Sequence, residues 1–593
     1  MNARLVRVSA IVVAPALLAL LFSISTTGTL PRAPIEPLFD SSAATALVNQ
    51  LSTEFPARVP GTDESAAAAR WYEQAISAFG LRTETQVWTE TLPDLGQVEL
   101  RNVIAVVPGR AEDTIIVVAH RDNVGADRPY GDNASGTAAL IELARGFGPQ
   151  ETAPAPLPNR TLVFVSTDAG AFGGAGAARF AAQSPYTESA LAVIVLDGLG
   201  GGGHPRIAIA GDRPASPARA LVSTASARIA EQTGTTPALP SLLAQLVDLA
   251  LPFAAGEQGT FLARDVAAIT LTTQEADDPR VPVGDAATPI ATQRLGELGR
   301  ATEALIGSID TSVGAAFRTP DSLFFSGRVA SGWAFRLTLV VAVAPFVLGA
   351  LDLLARARRR GVTFLPAARA LRARVLFWIY AALLLWIGAV AGVLPTGAPL
   401  AIPPTSETVA DRQAAGLGLL VIALTLGWLV GRRRLTPVTS VAPGERLAGT
   451  AVGLSWLGLV ALVAAVAKPY ALTFVLPSLY AWLWLPLAAR LPARVALFAL
   501  GLSGPLAGLL VLGAELGLGV VDTAYYLASL TSLGYISAGS VVLAVVWAAS
   551  AAQLGAVAVG RYAPYAGGAE PPPPGAIRTM IGATARRLRR RAT

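Results

Sequence analysis

Cysteine is absent from this chain of 593 residues, which holds only two histidines, two methionines and a single lysine, Lys468. Without cysteine there are no disulfides and no thiolate metal sites, so any metal must be held by imidazole and carboxylate groups. The histidines, His120 and His204, limit imidazole ligands to two. Charged residues are scarce at 15%, against 53% apolar, and that balance places a large part of the chain in lipid. The basic charge is almost entirely arginine, and the net charge is +6. The arginines cluster beside hydrophobic runs, where membrane orientation accounts for them, so no nucleic-acid partner is implied. Arg-rich, Ala-rich and Lys-poor usage points to a GC-rich bacterial genome.

Four segments follow from the patterning. Residues 1–27 carry Arg4 and Arg7 before an apolar run at 8–25, with no clear small-residue cleavage site, and read as a retained signal anchor. Residues 28–325 read as a soluble α/β domain. Its β-branched runs at 103–107, 114–119, 161–166, 191–196 and 266–272 alternate with Ala-rich helical stretches at 63–79, 137–147 and 216–232. Residues 330–560 hold seven apolar runs, near 333–355, 375–394, 414–430, 448–467, 470–488, 495–518 and 536–559, each close to the roughly 20 residues of a spanning helix. Residues 561–593, with prolines at 571–574 and a basic end, read as a disordered cytoplasmic tail.

The loops give an orientation. Arginine is concentrated in 356–374, in 431–446 and in the tail, whereas the alternate loops 395–413 and 519–535 share only Arg412. With the anchor counted, eight spans put every basic loop and both termini in the cytoplasm and the α/β domain outside. Ionisable groups are nearly missing from the middle of the spans, so nothing marks an ion or proton pathway. The expected role of the bundle is anchoring, or gathering membrane lipid or a membrane-protein partner.

The residues that carry chemistry lie where strands give way to loops. His120 closes the strand 114–119, Asp168 follows the strand 161–166, Asp197 ends the strand 191–196, and Asp132 sits in a Gly-flanked turn ahead of a helix. One imidazole and three carboxylates at the carboxyl edge of an α/β sheet form a sensible metal cluster. Asp122, two residues beyond His120, is placed to orient the imidazole through its second nitrogen.

Three stretches, Arg101–Gly109, His120-x-Asp122 and Asp132-Asn133-Ala134-Ser135-Gly136 followed by Glu142-Leu143-Ala144-Arg145, resemble the M28 family of zinc aminopeptidases. The resemblance spans about residues 40–310 and implies a three-layer α/β sandwich with a mixed sheet, joined here to an all-α transmembrane bundle. It also implies that His120, Asp132 and Asp197 bind a first zinc, with Asp132 bridging to a second. The family's Glu-Glu-x-Gly-Leu-x-Gly segment stands here as Thr167-Asp168-Ala169-Gly170-Ala171-Phe172-Gly173. Gly170 and Gly173 set that register. It puts Thr167 at the general-base position and a shortened Asp168 at the second-zinc ligand. Threonine takes no proton from metal-bound water near neutral pH, and a positioned base is worth about 10²–10⁴-fold in rate. The family's last histidine is missing from 275–285, where Val281 stands nearest its place. His204 lies in a Gly-rich loop and reads as an exposed histidine, and Asp277, Asp278 and Asp285 read as solvated acids.

These departures imply one zinc more readily than two, or none. The expected protein is a pseudoenzyme with a binding or assembly role and weak or no peptidase activity. Its layout is similar to that of membrane M28 proteases and of the attachment subunit of the eukaryotic GPI transamidase. The alternative is an active metallo-aminopeptidase working with one zinc or an altered site. A peptide or another amine-bearing ligand is the family-based expectation for either.

Overall fold

A computed structural model describes residues 3–92, 95–126, 131–148, 157–254, 256–273, 290–312, 317–325, 327–396, 413–435 and 443–559. The chain opens with helix α1 (Ala3–Ser23) and the short strand β1 (Ser25–Thr26), followed by α2 (Ser41–Glu54) and α3 (Asp63–Ser77). Next come β2 (Arg82–Leu92), β3 (Gly96–Val107), β4 (Ala111–His120), α4 (Ala134–Phe147) and β5 (Arg160–Thr167). The middle of the domain holds α5 (Ala175–Gln183), α6 (Pro185–Glu188), β6 (Ala190–Leu196) and β7 (Arg206–Ala208). It continues through α7 (Arg219–Thr233), α8 (Leu242–Ala250), α9 (Gln258–Leu262), β8 (Ala267–Thr272) and α10 (Thr292–Asp310). Strands β9 (Leu323–Phe325) and β10 (Arg328–Ala330) finish it.

Seven strands form one mixed sheet in the order β2-β3-β5-β4-β6-β8-β7. The central β5-β4-β6-β8 pairings are parallel, and β2, β3 and β7 join antiparallel. Side chains alternate across a strand. Along β4, Ile115, Val117 and Ala119 therefore enter the core under α2, α3, α4, α7 and α10, while Ile116 and Val118 enter the one under α5 and α9. Both faces of the central strands are buried, which is why they read as continuous apolar runs. The expected three-layer sandwich is the fold. The long β2–β3 hairpin was less legible, because Arg82–Leu92 is mostly polar and its outer face meets water.

Among the described residues, seven helices are long and apolar enough to cross a membrane: Gly332–Arg359, Leu365–Val390, Ala415–Arg432, Gly444–Ala467, Pro469–Leu487, Leu491–Glu515 and Ala538–Val559. Helix α1, apolar over Ser9–Ser23, packs along the first of them, where Thr338 donates its hydroxyl to the Ala16 carbonyl at 3.1 Å. Strand β1 pairs with β10, so α1 ends and the 332–359 helix begins on the side that carries the α/β domain. The eight near-spanning helices agree with the expected count. One difference lies in 519–535, expected as a loop. It contains a helix, Val520–Ser532, too short to span, with Tyr525, Tyr526 and Leu530 buried against the bundle.

Small residues let the bundle close. Gly504 lies against the Phe474 carbonyl and Gly501 under the Trp482 ring, as expected for close helix contact in lipid. That ring stacks on Phe498 at 5.5 Å and donates its indole N–H to the Phe498 carbonyl at 3.0 Å.

The domain is fastened to the bundle by polar contacts. Tyr535 donates to Asp212 at 2.7 Å, Tyr470 donates to Asp321 at 2.6 Å, and Arg336 pairs with Asp321 at 2.7 Å. Asp248, on α8, faces the 491–515 helix, and burial together with the Glu515 charge pushes its pKa up to about 8. A carboxyl raised in the folded state keeps a proton that the unfolded chain releases, so stability falls as pH climbs from about 4 towards 8. The full chain in detergent should lose up to about 1.4 kcal/mol per pH unit from this group across that range. Asp248→Asn should flatten the dependence and raise the melting temperature at pH 8. Equal pH slopes for the two proteins would remove Asp248 as the cause.

Candidate active site

His120 ends β4 and Thr167 ends β5, and the two are directly paired across the parallel ladder. Asp197 follows β6 by one residue. Asn133 caps α4 and ties this edge together: its Oδ1 accepts from Gly136 N–H at 3.1 Å and Gly198 N–H at 2.9 Å. Its side-chain amide donates to the Leu196 carbonyl at 2.8 Å. The fold therefore gathers His120, Asp122, Asp132, Thr167, Asp168 and Asp197 at one end of the sheet, where ligands bind in open α/β folds.

His120 is buried, with Nδ1 3.3 Å from the Asp122 carboxylate and Nε2 3.8 Å from that of Asp197. Asp122 is itself fixed, accepting N–H bonds from Gly170 at 2.8 Å and Ala171 at 3.0 Å. Burial works against a charge on the imidazole, but Asp122 and then Asp197 outweigh it and raise His120 well above its ordinary pKa. The ring thus lies between two carboxylates that favour its protonated form.

Gly170 is packed against that ring. A Cβ there would fall on Cβ and Cγ of His120. Gly170→Ala should therefore displace the imidazole and destabilise the domain by about 1–3 kcal/mol, read as a fall in melting temperature. An unchanged melting temperature would show that the close approach is relaxed.

Both second-metal carboxylates are spoken for. Asp168 accepts from Arg121 Nη2 at 3.1 Å and Arg101 N–H at 3.0 Å through one oxygen, and from Ala169 N–H at 3.0 Å through the other. Its pKa is raised by burial, with Arg121 pulling the other way. Arg121, also buried, donates to the carbonyls of Ser166 and Arg101 at 3.1 and 2.5 Å. Asp132 gives one oxygen to the guanidinium of Arg58 and to Ala134 N–H. Arg58 is fully buried and locked by the carbonyls of Arg121 at 2.7 Å and Phe55 at 2.6 Å. Of the trio expected to hold a cation, His120 and Asp197 approach to 3.8 Å, and Asp132 is engaged by Arg58. Among the described residues no group of three acidic or imidazole side chains is arranged to hold a metal. Arg58 and Arg121 supply positive charge directly to Asp132 and Asp168.

A further carboxylate, absent from the sequence-based set, joins this edge. Glu257, at the N-terminus of α9, accepts the Thr167 hydroxyl at 2.6 Å. It is buried, and its Oε2 has no hydrogen-bond partner. Burial is the main cause that pushes its pKa up to about 7, opposed by His120 and by the Thr167 bond. A carboxylate thus stands beside the position where the resemblance places the general base, delivered from 90 residues further along the chain. The available signal was the one that picked out Asp132: an acid in a Gly-flanked turn before a helix, here Gly256-Glu257-Gln258-Gly259.

His204 is exposed, with Nε2 3.0 Å from the Thr236 carbonyl. Val281, Asp277, Asp278 and Asp285 lie outside the described residues. Glu142, part of the motif on α4, is structural: it accepts from Asp40 N–H at 2.9 Å and pairs with Arg145.

The model of peptidase family M28 matches residues 102–263, which covers β4, β5, β6 and the whole set of site residues from His120 to Glu257. This chain carries an M28 peptidase domain. A probable leucine aminopeptidase of Arthroderma otae is 26% identical over 139 residues, 22% of this chain and 37% of that protein. One from Trichophyton verrucosum is 40% identical over 52 residues, 8% of this chain and 14% of that protein. The chain thus spans well under half the length of these fungal relatives. Among solved structures, the glutaminyl cyclase of Porphyromonas gingivalis aligns over all of its length and 47% of this chain, at 18% identity and a TM-score of 0.37. The Bacillus subtilis zinc aminopeptidase aligns over 99% of its length and 48% of this chain, at 14% identity and a TM-score of 0.37. The M28 domain joined to seven apolar helices is the architecture of the chain.

Proposed function

We propose that this is a multi-pass membrane protein whose M28 domain, on the outer side, serves binding or assembly with weak or no peptide hydrolysis. The observation that carries this reading is the buried Arg121–Asp168 pair at 3.1 Å. A guanidinium takes the carboxylate that a second zinc would need, and a buried charge once paired and hydrogen-bonded is expensive to free. Arg58 on Asp132 Oδ1 supports the same conclusion, setting a fixed positive charge on the carboxylate that would bridge two metals. A two-zinc centre does not fit the site as arranged, with Asp168 on Arg121 and Asp132 on Arg58. An N-terminal amine or similar cationic group would meet Asp197, whose side chain is 18% exposed and so reachable from solvent. The basic loops support cytoplasmic termini.

The test is hydrolysis of aminoacyl reporter substrates by the full chain in detergent, with and without added zinc. Turnover near the uncatalysed rate in both conditions is expected. Zinc-dependent turnover lost in His120→Ala would overturn the reading.

Glu257 favours a second reading, a hydrolase with a relocated base. Its Oε2 is free to hold a proton beside Thr167. Glu257→Gln decides between the two. Under the second reading it lowers a measurable turnover by about 10²-fold or more, and under the first there is no turnover to lower.

A further inference from the structure

A cavity of about 690 Å³ lies at the junction of the M28 domain and the bundle, in the size range of small-ligand sites. Its domain side is formed by Asp212, Leu249 to Pro252 and Asp321, and its bundle side by Arg336, Val466 to Tyr470 and Gly534 to Ser537. The only lysine of the chain, Lys468, lines it. The other ionic groups in the wall are matched. Arg336 pairs with Asp321 at 2.7 Å, and Asp321 also accepts from Tyr470. Asp212 accepts from Tyr535 and from Ala254 N–H, and burial raises its pKa against the pull of those two bonds. Lys468 makes no ion pair or side-chain hydrogen bond among the described residues, and it is half-buried. An ammonium partly withdrawn from water, in a wall whose two carboxylates already take other donors, is a place for an added anion.

The depth of the cavity identifies the kind of anion. It sits where the Gly444–Ala467 helix ends and the Gly332–Arg359 helix begins. Trp333, 56% exposed, stands one turn from Arg336, the pattern of a membrane-water boundary. Val466, at the rim, is 89% exposed and Ile536 lines the opposite side, so one edge of the cavity is apolar where acyl chains run. We propose that this junction cavity binds the phosphate of an anionic amphiphile, with Lys468 on the phosphate, Tyr470 and Tyr535 beside the headgroup, and the apolar tail leaving past Val466. A basic side chain at the edge of a transmembrane bundle recognises a lipid phosphate through a charge-assisted contact. The site lies apart from the catalytic-type residues and does not depend on whether the M28 domain hydrolyses anything.

Native mass spectrometry of the full chain in detergent tests it, titrating phosphatidylglycerol, phosphatidylcholine or inorganic phosphate. One phosphatidylglycerol should be retained about 10-fold more tightly than phosphatidylcholine. Lys468→Gln should lose that preference and Lys468→Arg should keep it, while both keep the wild-type melting temperature. If inorganic phosphate displaces the lipid at millimolar concentration, the anion site stands and its source is soluble phosphate as well as lipid. If phosphate has no effect, the amphiphile is the ligand. Equal retention of both lipids, or a preference untouched by Lys468→Gln, overturns the proposal. Should the Gln variant unfold, loss of the preference in the wild type on raising salt fails to occur only if the contact is not ionic, which equally overturns it.

Discussion

Arg121→Leu should destabilise the M28 domain by about 3–5 kcal/mol, because it leaves the Asp168 carboxylate buried without its guanidinium. Asp168 retains two backbone N–H donors, from Arg101 and Ala169, so the loss falls short of exposing a bare charge. Arg121 also spans three carbonyls, of Arg101, Ser166 and Thr167, which lose their donor with it. Asp168→Leu alone strands the arginine in the same way. The double variant Arg121→Leu, Asp168→Leu should recover much of the loss, since replacing both members of a buried pair by apolar groups is far milder than removing one. The measurement is the melting temperature of the full chain for all four proteins. Additive losses in the double variant would mean that the two side chains act independently.

Arg58→Met should have an effect of similar size, about 3–5 kcal/mol in zinc-free buffer, and a second consequence that Arg121→Leu lacks. Asp132 then regains a free oxygen on the side now filled by the guanidinium. With His120 and Asp197 already 3.8 Å apart, a cation could draw the three together. Zinc should therefore leave the wild-type melting temperature unchanged and raise that of Arg58→Met. At a concentration 100 times its dissociation constant the gain is ~2.7 kcal/mol. Zinc stabilising the wild type and the variant alike would show that Arg58 does not compete for this place.

What was legible in the sequence divides along physical lines. The parallel strands were visible because each is buried on both faces and so runs apolar for five or more residues, as Ile115 to Ala119 do. Strand ends then placed His120, Asp168 and Asp197, and the glycine spacing of the M28 pattern set the register of Thr167 and Asp168. Gly170 shows why the spacing holds, since the His120 ring fills the space a side chain would need. The bundle was legible from length and hydropathy alone. The charge partners were not. Arg58 reaches Asp132 across 74 residues and Glu257 reaches Thr167 across 90, and no local periodicity encodes such meetings. Arg121 was in plain view inside His120-Arg121-Asp122, but only the fold reveals that its side chain turns under the sheet edge to Asp168.

The three unforeseen residues change the meaning of the departures from the M28 pattern. Thr167 and Asp168 could have signified a site that had merely lost two groups. Instead, buried arginines meet Asp132 and Asp168, His120 lies between Asp122 and Asp197, and a new carboxylate, Glu257, accepts from the threonine. The cluster is balanced by the protein's own cations.

Zinc stoichiometry tests that balance most directly. The full chain, purified in detergent and equilibrated with excess zinc before removal of the unbound metal, should carry at most one ion per chain by elemental analysis. Arg121→Leu should not raise the number unless Asp168 becomes a ligand. Two zinc ions per wild-type chain would contradict the account, because Asp168 could then not be committed to Arg121.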